Sequence, residues 1–145
     1  MPASIRFLSL ETRRDLLAAG LAIVAEGRTC IQERMARGYG VKTKADKSFV
    51  TDADLEAEQV LRAAITRRFP DHGIIGEEYP AINPSADFQW ILDPIDGTLS
   101  FTRGIPLWGT IVGLHHRGEP VLGIVDHPEL DRCYSAAVGL GAHVD

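Results

Sequence analysis

Apolar residues first recur at helical spacing and then, past Pro70, in short unbroken runs, so helices precede strands along this chain. Leu17, Leu21, Val24, Ile31 and Met35 keep one face apolar and predict a helix from about Leu8 to about Ala36, stopped by Gly38 and Gly40. Thr43 to Ser48 is polar and lysine-rich, a loop between short extended pieces. Ala57, Leu61, Ala64 and Ile65 predict a second helix that starts near Thr51 or Asp52 and ends before Pro70. Beyond it, Gly73-Ile74-Ile75-Gly76 reads as a buried strand ending at Glu77-Glu78, and Ala81 to Asp87 as a surface loop. Phe88 to Leu92 reads as a strand feeding a turn at Asp93. Leu107 to His115 and Pro120 to Asp126 read as a hairpin joined by His116-Arg117-Gly118-Glu119, with a weaker strand at Cys133 to Val138. Gly139 to Asp145 reads as a glycine-rich turn where sheet-forming sequence stops. The expected fold class is α+β: two N-terminal helices layered on a mostly antiparallel sheet, cut mid-fold at its C-terminal side.

Composition narrows this picture in three ways. The chain has 145 residues with 45% hydrophobic content, which suits one packed domain, residues 1–145, without repeat or linker. A formal charge of −5 argues against nucleic acid as a partner, since phosphate backbones are bound by surplus Lys and Arg. No apolar stretch approaches the roughly 20 residues of a membrane span. Thr12-Arg13-Arg14-Asp15-Leu16-Leu17 superficially resembles a twin-arginine export signal, but apolar positions continue at helical spacing past Glu26, as in a folded amphipathic helix. Cys30 and Cys133 stand alone, as packing residues in a reducing, cytoplasmic compartment would.

The chemistry concentrates in Trp90-Ile91-Leu92-Asp93-Pro94-Ile95-Asp96-Gly97-Thr98-Leu99-Ser100-Phe101. Asp93 and Asp96 supply acceptor oxygens of the kind hard cations such as Mg²⁺ prefer. Pro94 restrains Asp93 from helical geometry, and Gly97 permits a close backbone approach. Gly97 and Thr98 would open a short helix whose first N–H groups attract an anion. Read alone, the two aspartates are equally ordinary turn residues. Acidic groups at two other element ends, Gly76-Glu77-Glu78 and Thr51-Asp52-Ala53-Asp54, favour the cation reading, although Thr51 with Asp54 also reads as a capping box. Lys42, Lys44 and Lys47 read as a solvated loop face, with phosphate steering as the alternative. His72, His115, His116, His127 and His143 show no ligand spacing and read mostly as surface residues. Nucleotide-loop, serine-hydrolase and zinc-protease motifs are all absent.

Taken together, Lys44 to Asp54, Gly76-Glu77-Glu78 and Trp90 to Phe101 resemble, in order, the motifs of the inositol monophosphatase superfamily of Mg²⁺-dependent, lithium-sensitive phosphomonoesterases. The resemblance covers about Lys42 to Ala142. Leu99-Ser100-Phe101, then Gly104-Ile105-Pro106-Leu107-Trp108-Gly109-Thr110, look most like the histidinol-phosphate phosphatase branch, with inositol monophosphatase the runner-up and a bisphosphate-directed relative third.

The resemblance implies a layered α/β sandwich of the inositol monophosphatase type. It also implies that Glu77, Asp93 and the Ile95 carbonyl hold one Mg²⁺, and that Asp93 and Asp96 hold a second. Gly97 and Thr98, beside Asp96, would bind phosphate. Asp54, Glu77 and Thr98 would orient and activate water. The substrate would be a small phosphate monoester such as L-histidinol phosphate, an intermediate of histidine biosynthesis. Family members commonly form homodimers. They are also longer, and their second half adds another aspartate at the second metal and most specificity contacts. That departure leaves a second expectation, a non-catalytic remnant acting as an interaction module.

Overall fold

A computed structural model describes residues 8–145. Helix α1 spans Leu10–Arg37, capped by the Ser9 side chain, which accepts from the Thr12 N–H; it contains the twin-arginine-like segment within its body. A hairpin of β1 (Val41–Thr43) and β2 (Phe49–Thr51) leads into α2 (Asp52–Arg68). Then come β3 (Gly73–Ile75), β4 (Phe88–Asp96), the short helix α3 (Thr98–Thr102), β5 (Gly109–His116) and β6 (Glu119–His127). A 3-10 turn at Pro128–Leu130 precedes β7 (Arg132–Ala137) and β8 (Gly141–Val144).

The larger sheet is six-stranded, in the order β3-β4-β5-β6-β7-β8. Only β3 and β4 run parallel; every other pair is antiparallel. The expected α+β architecture and the mostly antiparallel sheet are therefore present. Two details correct the sequence reading. Gly141–Val144 is an edge strand rather than a turn, because its backbone pairs with β7 from Tyr134 to Ala137. Asp93 does not start a turn either, since β4 runs on to Asp96.

One face of the sheet is closed by α1 and α2. Trp90, Leu92, Val112, Leu114 and Ile124 point to that side and pack with Ile23, Val24, Leu61 and Ile65. The period-2 alternation leaves Ile91, Gly113, Val125 and Tyr134 on the other face, only half-buried or exposed, with Tyr134 at 49% exposure. A second apolar cluster of Ile31, Ala53, Ala57, Ile95, Phe101 and Trp108 ties α1, α2, β4 and α3 together at the strand ends. Phe101 lies 4.7 Å from Tyr39 and 4.9 Å from Trp108, ring centre to ring centre.

His143 is exposed as expected, but other histidines depart from the surface reading. His116 is buried against Phe88, and His72 stacks between Phe69 and Phe88. His127 Nδ1 sits 2.8 Å from the Trp108 carbonyl oxygen. An aromatic ring of intermediate polarity packs well when one nitrogen finds a partner.

Candidate active site

The register of β4 against β5 slips between Asp93 and Asp96: Asp93 faces Ile111 and Asp96 faces Gly109, three steps on one strand against two on the other. In a regular strand, residues three apart point to opposite faces. The extra residue returns Asp96 to the phase of Asp93, so both carboxylates serve one side. The Thr110 hydroxyl donates to the Pro94 carbonyl at 2.9 Å and satisfies the acceptor that the bulge would strand.

Gly97 follows with φ +85 and ψ 40, the left-handed conformation, and a side chain there would press within 3.0 Å of the Leu107 carbonyl oxygen. It caps α3 at the strand end, as the Gly97-Thr98 pair led one to expect. The Thr98 hydroxyl lies 3.0 Å from the Ile95 carbonyl and 3.3 Å from Asp54 Oδ1, one proton between two acceptors.

Asp54 reaches this point from α2. Its Oδ2 accepts from the Thr51 N–H (2.7 Å) and hydroxyl (2.6 Å), while Thr51 Oγ1 accepts from the Asp54 N–H at 3.2 Å. The capping box is real and leaves Oδ1 facing Thr98, so the structural and chemical readings of this residue coexist. Burial raises the Asp54 carboxyl above its ordinary range, against the pull of these hydrogen bonds.

Glu77, Asp93, Ile95, Asp96, Gly97, Thr98 and Asp54 all line one cavity of about 200 Å³. The seven residues that the resemblance assigns to cations, phosphate and water are therefore brought together. Lys44, Ser48, Phe49 and Glu78 complete the wall. Lys44 corrects the reading of a solvated lysine face: its ammonium donates to Glu78 Oε1 at 2.8 Å. Burial opposes its charge, but the Glu78 hydrogen bond and the charges of Glu78, Glu77 and Asp54 outweigh burial and hold the ammonium above its usual range. Lys42 and Lys47 stay exposed.

Electrostatic stress centres on Asp93. Burial first, then the charges of Asp96, Glu77, Asp54 and Glu78, push its carboxyl up to about 6. Among the described residues no three acidic, histidine or cysteine side chains close on a single point as a ready-made cage. The donor set nevertheless fits Mg²⁺, which takes one or two carboxylates plus a carbonyl, waters and substrate oxygens rather than an all-protein shell. A cation would relieve the repulsion that raises Asp93.

Residues 12–145 match the profile of the Inositol monophosphatase family. The chain belongs to that family. It is 42% identical over 127 residues to a histidinol-phosphatase of Mycobacterium tuberculosis, across 88% of this chain and 48% of that protein. To the fructose-1,6-bisphosphatase/inositol-1-monophosphatase of Aquifex aeolicus it is 37% identical over 135 residues, across 92% of this chain and 51% of that protein. The solved structure of the Thermotoga maritima IMPase superposes with a TM-score of 0.82 at 32% identity, covering 90% of this chain and 51% of that one. The chain spans about half the length of the curated relatives it matches.

Proposed function

We propose that this chain is the cation- and phosphate-binding portion of a Mg²⁺-dependent phosphomonoesterase, with L-histidinol phosphate as its substrate. What carries the reading is the crowding of Glu77, Asp96, Asp54 and Glu78 around Asp93, at a strand end where a left-handed glycine opens a helix. Glu77, Asp93 and the Ile95 carbonyl would hold one cation, and Asp93 and Asp96 a second. When bound, such cations neutralise phosphate charge, make water acidic enough to attack, and stabilise the leaving oxygen.

The chain's own residues do the rest. The N–H groups of Gly97 and Thr98 orient the phosphate. Thr98 can take a proton at Oγ1 only by passing its own to Asp54 Oδ1, which the raised carboxyl of Asp54 favours. Lys44, fixed on Glu78, adds an ammonium to the cavity wall for an incoming dianion. The histidinol-phosphate choice rests on Leu99-Ser100-Phe101 and on similarity to a relative of that name.

The test is Mg²⁺-dependent phosphate release from L-histidinol phosphate and inositol 1-phosphate, by the chain alone and by the chain completed with the C-terminal half of a family member. Faster turnover of histidinol phosphate is expected. Preference for inositol 1-phosphate would pass the substrate to the runner-up. No phosphate release from any small monoester by the completed protein would sink the reading.

A pH dependence follows from Asp93. Because its carboxyl is raised to about 6, it carries a proton at lower pH, and a cation must displace that proton. Mg²⁺ affinity should therefore fall as pH drops through that value and level off above it. Calorimetry in buffers of different ionisation enthalpy should detect proton release on binding near about pH 5.5 and little near about pH 8. Equal proton release at both would contradict the assignment.

A further inference from the structure

Glu58 is fully buried on α2, one turn before Arg62, and the pair spends its hydrogen bonds on the loop that carries Glu77. Glu58 Oε2 accepts from the Glu78 N–H at 2.7 Å, and Oε1 accepts from the Tyr79 N–H at 3.2 Å and from Arg62 Nε at 2.8 Å. Arg62 donates through Nη1 to the Pro80 carbonyl and through Nη2 to the Tyr79 carbonyl, both at 2.8 Å. Residues 76–81 form no helix or strand; besides this clamp, the loop is held by the Lys44–Glu78 ion pair and by Gln59 Nε2 donating to the Tyr79 hydroxyl at 2.9 Å, both through side chains rather than its backbone. Gly76 makes room for the clamp, since a Cβ there would fall 2.1 Å from Glu58 Oε1.

A buried ion pair is weak evidence for stability, because desolvation offsets most of the attraction; its geometry can instead specify a conformation. Here four backbone groups in the three residues after Glu77 are gripped by two side chains on one helix face. That helix also carries Asp54 into the cavity.

We propose that Glu58 and Arg62 are positioning residues that clamp the loop after β3 and so set the cation affinity contributed by Glu77. The proposal rests on the metal-site reading above. Neither residue lines the cavity, so both act through the backbone.

The two residues have opposite charge, which separates positioning from plain electrostatics. If charge alone mattered, Glu58→Gln would weaken cation binding and Arg62→Met would strengthen it. If the clamp matters, both weaken it, by about tenfold, the scale seen when groups that orient metal ligands are lost. Mn²⁺ binding to the 145-residue chain, read by electron paramagnetic resonance, measures this, with Ile65→Val as a core change on the same helix that should leave affinity unmoved. Hydrogen exchange at the Glu78 and Tyr79 amides should accelerate in both clamp variants. Should Arg62→Met fail to fold, Arg62→Lys serves: it keeps the charge but cannot hold both carbonyls and Glu58 at once, and should still weaken binding.

Arg62 variants that bind Mn²⁺ as tightly as the parent, or more tightly, overturn the proposal while leaving the metal site intact. A parent chain with no saturable Mn²⁺ binding, or with binding indifferent to Asp93→Asn, overturns the metal-site reading itself and this inference with it.

Discussion

Asp93→Asn should abolish cation binding while leaving the metal-free chain as stable as before, or more stable. Asp93 is the one side chain assigned to both cations. Asparagine has nearly the same shape, so the bulge between Asp93 and Asp96 and the Thr110–Pro94 hydrogen bond should persist. What disappears is a half-buried carboxyl that burial and four neighbouring acidic groups have pushed up to about 6. Removing a charge under that stress relieves the repulsion among the neighbouring carboxylates. The same neighbours then lack the carboxylate that the proposed function gives to both cations. The loss in Mn²⁺ affinity should exceed about a hundredfold, beyond the range for groups that merely orient ligands. Thermal unfolding gives a second readout: the parent should gain stability on adding Mg²⁺, by mass action, and the variant should gain none. An Asp93→Asn chain that is still stabilised by Mg²⁺ would place the cations elsewhere.

The largest effect on stability should come from Trp90→Ala. Trp90 has no exposed surface, sits mid-strand on β4, and faces α1 close to Gly20, where an added Cβ would meet its ring at 3.6 Å. Its ring centre is 5.7 Å from that of Phe69 and 6.4 Å from that of His72. Its indole N–H donates to His72 Nδ1 at 3.1 Å, which requires that nitrogen to be unprotonated. Burial lowers the His72 pKa in keeping with this role. Truncation removes the ring from a junction of both helices and the sheet, leaves a cavity, and orphans the His72 acceptor. The expected cost is about 3–5 kcal/mol, a large share of a small domain's stability. Urea denaturation measures it. Trp90→Phe keeps most of the ring volume and loses the hydrogen bond, so its cost should be well below that of alanine. Equal costs for the two would mean that the His72 contact, not packing, secures this junction.

How much of this molecule could be read in advance depends on the range over which each feature is determined. Helices α1 and α2 were legible to within about two residues because their apolar spacing and caps are local. The β5–β6 hairpin was legible because two apolar runs flank His116-Arg117-Gly118-Glu119, and in the structure Arg117 and Gly118 take the two positive-φ positions of a tight turn. β8 was not. Gly141, Ala142, His143 and Val144 carry almost no strand pattern, and they are extended because β7 offers them a partner. Asp93-Pro94 reads locally as the end of a strand, yet β5 keeps pairing across it through a bulge, which no local preference reveals. Lys44 looked like one of three loop lysines until Glu78, far along the chain, proved to be its partner. Glu58 and Arg62 stand four apart on α2, but nothing local to them shows the loop they hold.

The sequence by itself singled out the candidate side chains: Glu77, Asp93, Asp96, Asp54 and Thr98 stand in motifs whose residue types and spacing are written in the chain. Only the tertiary structure decided that they share one cavity, which of them is electrostatically strained, and what restrains the Glu77 loop. The reason is physical. Residue type and periodicity act over a few neighbouring positions, whereas convergence here comes from a parallel strand pair, a one-residue slip in register and a buried ion pair, each a bargain between distant segments.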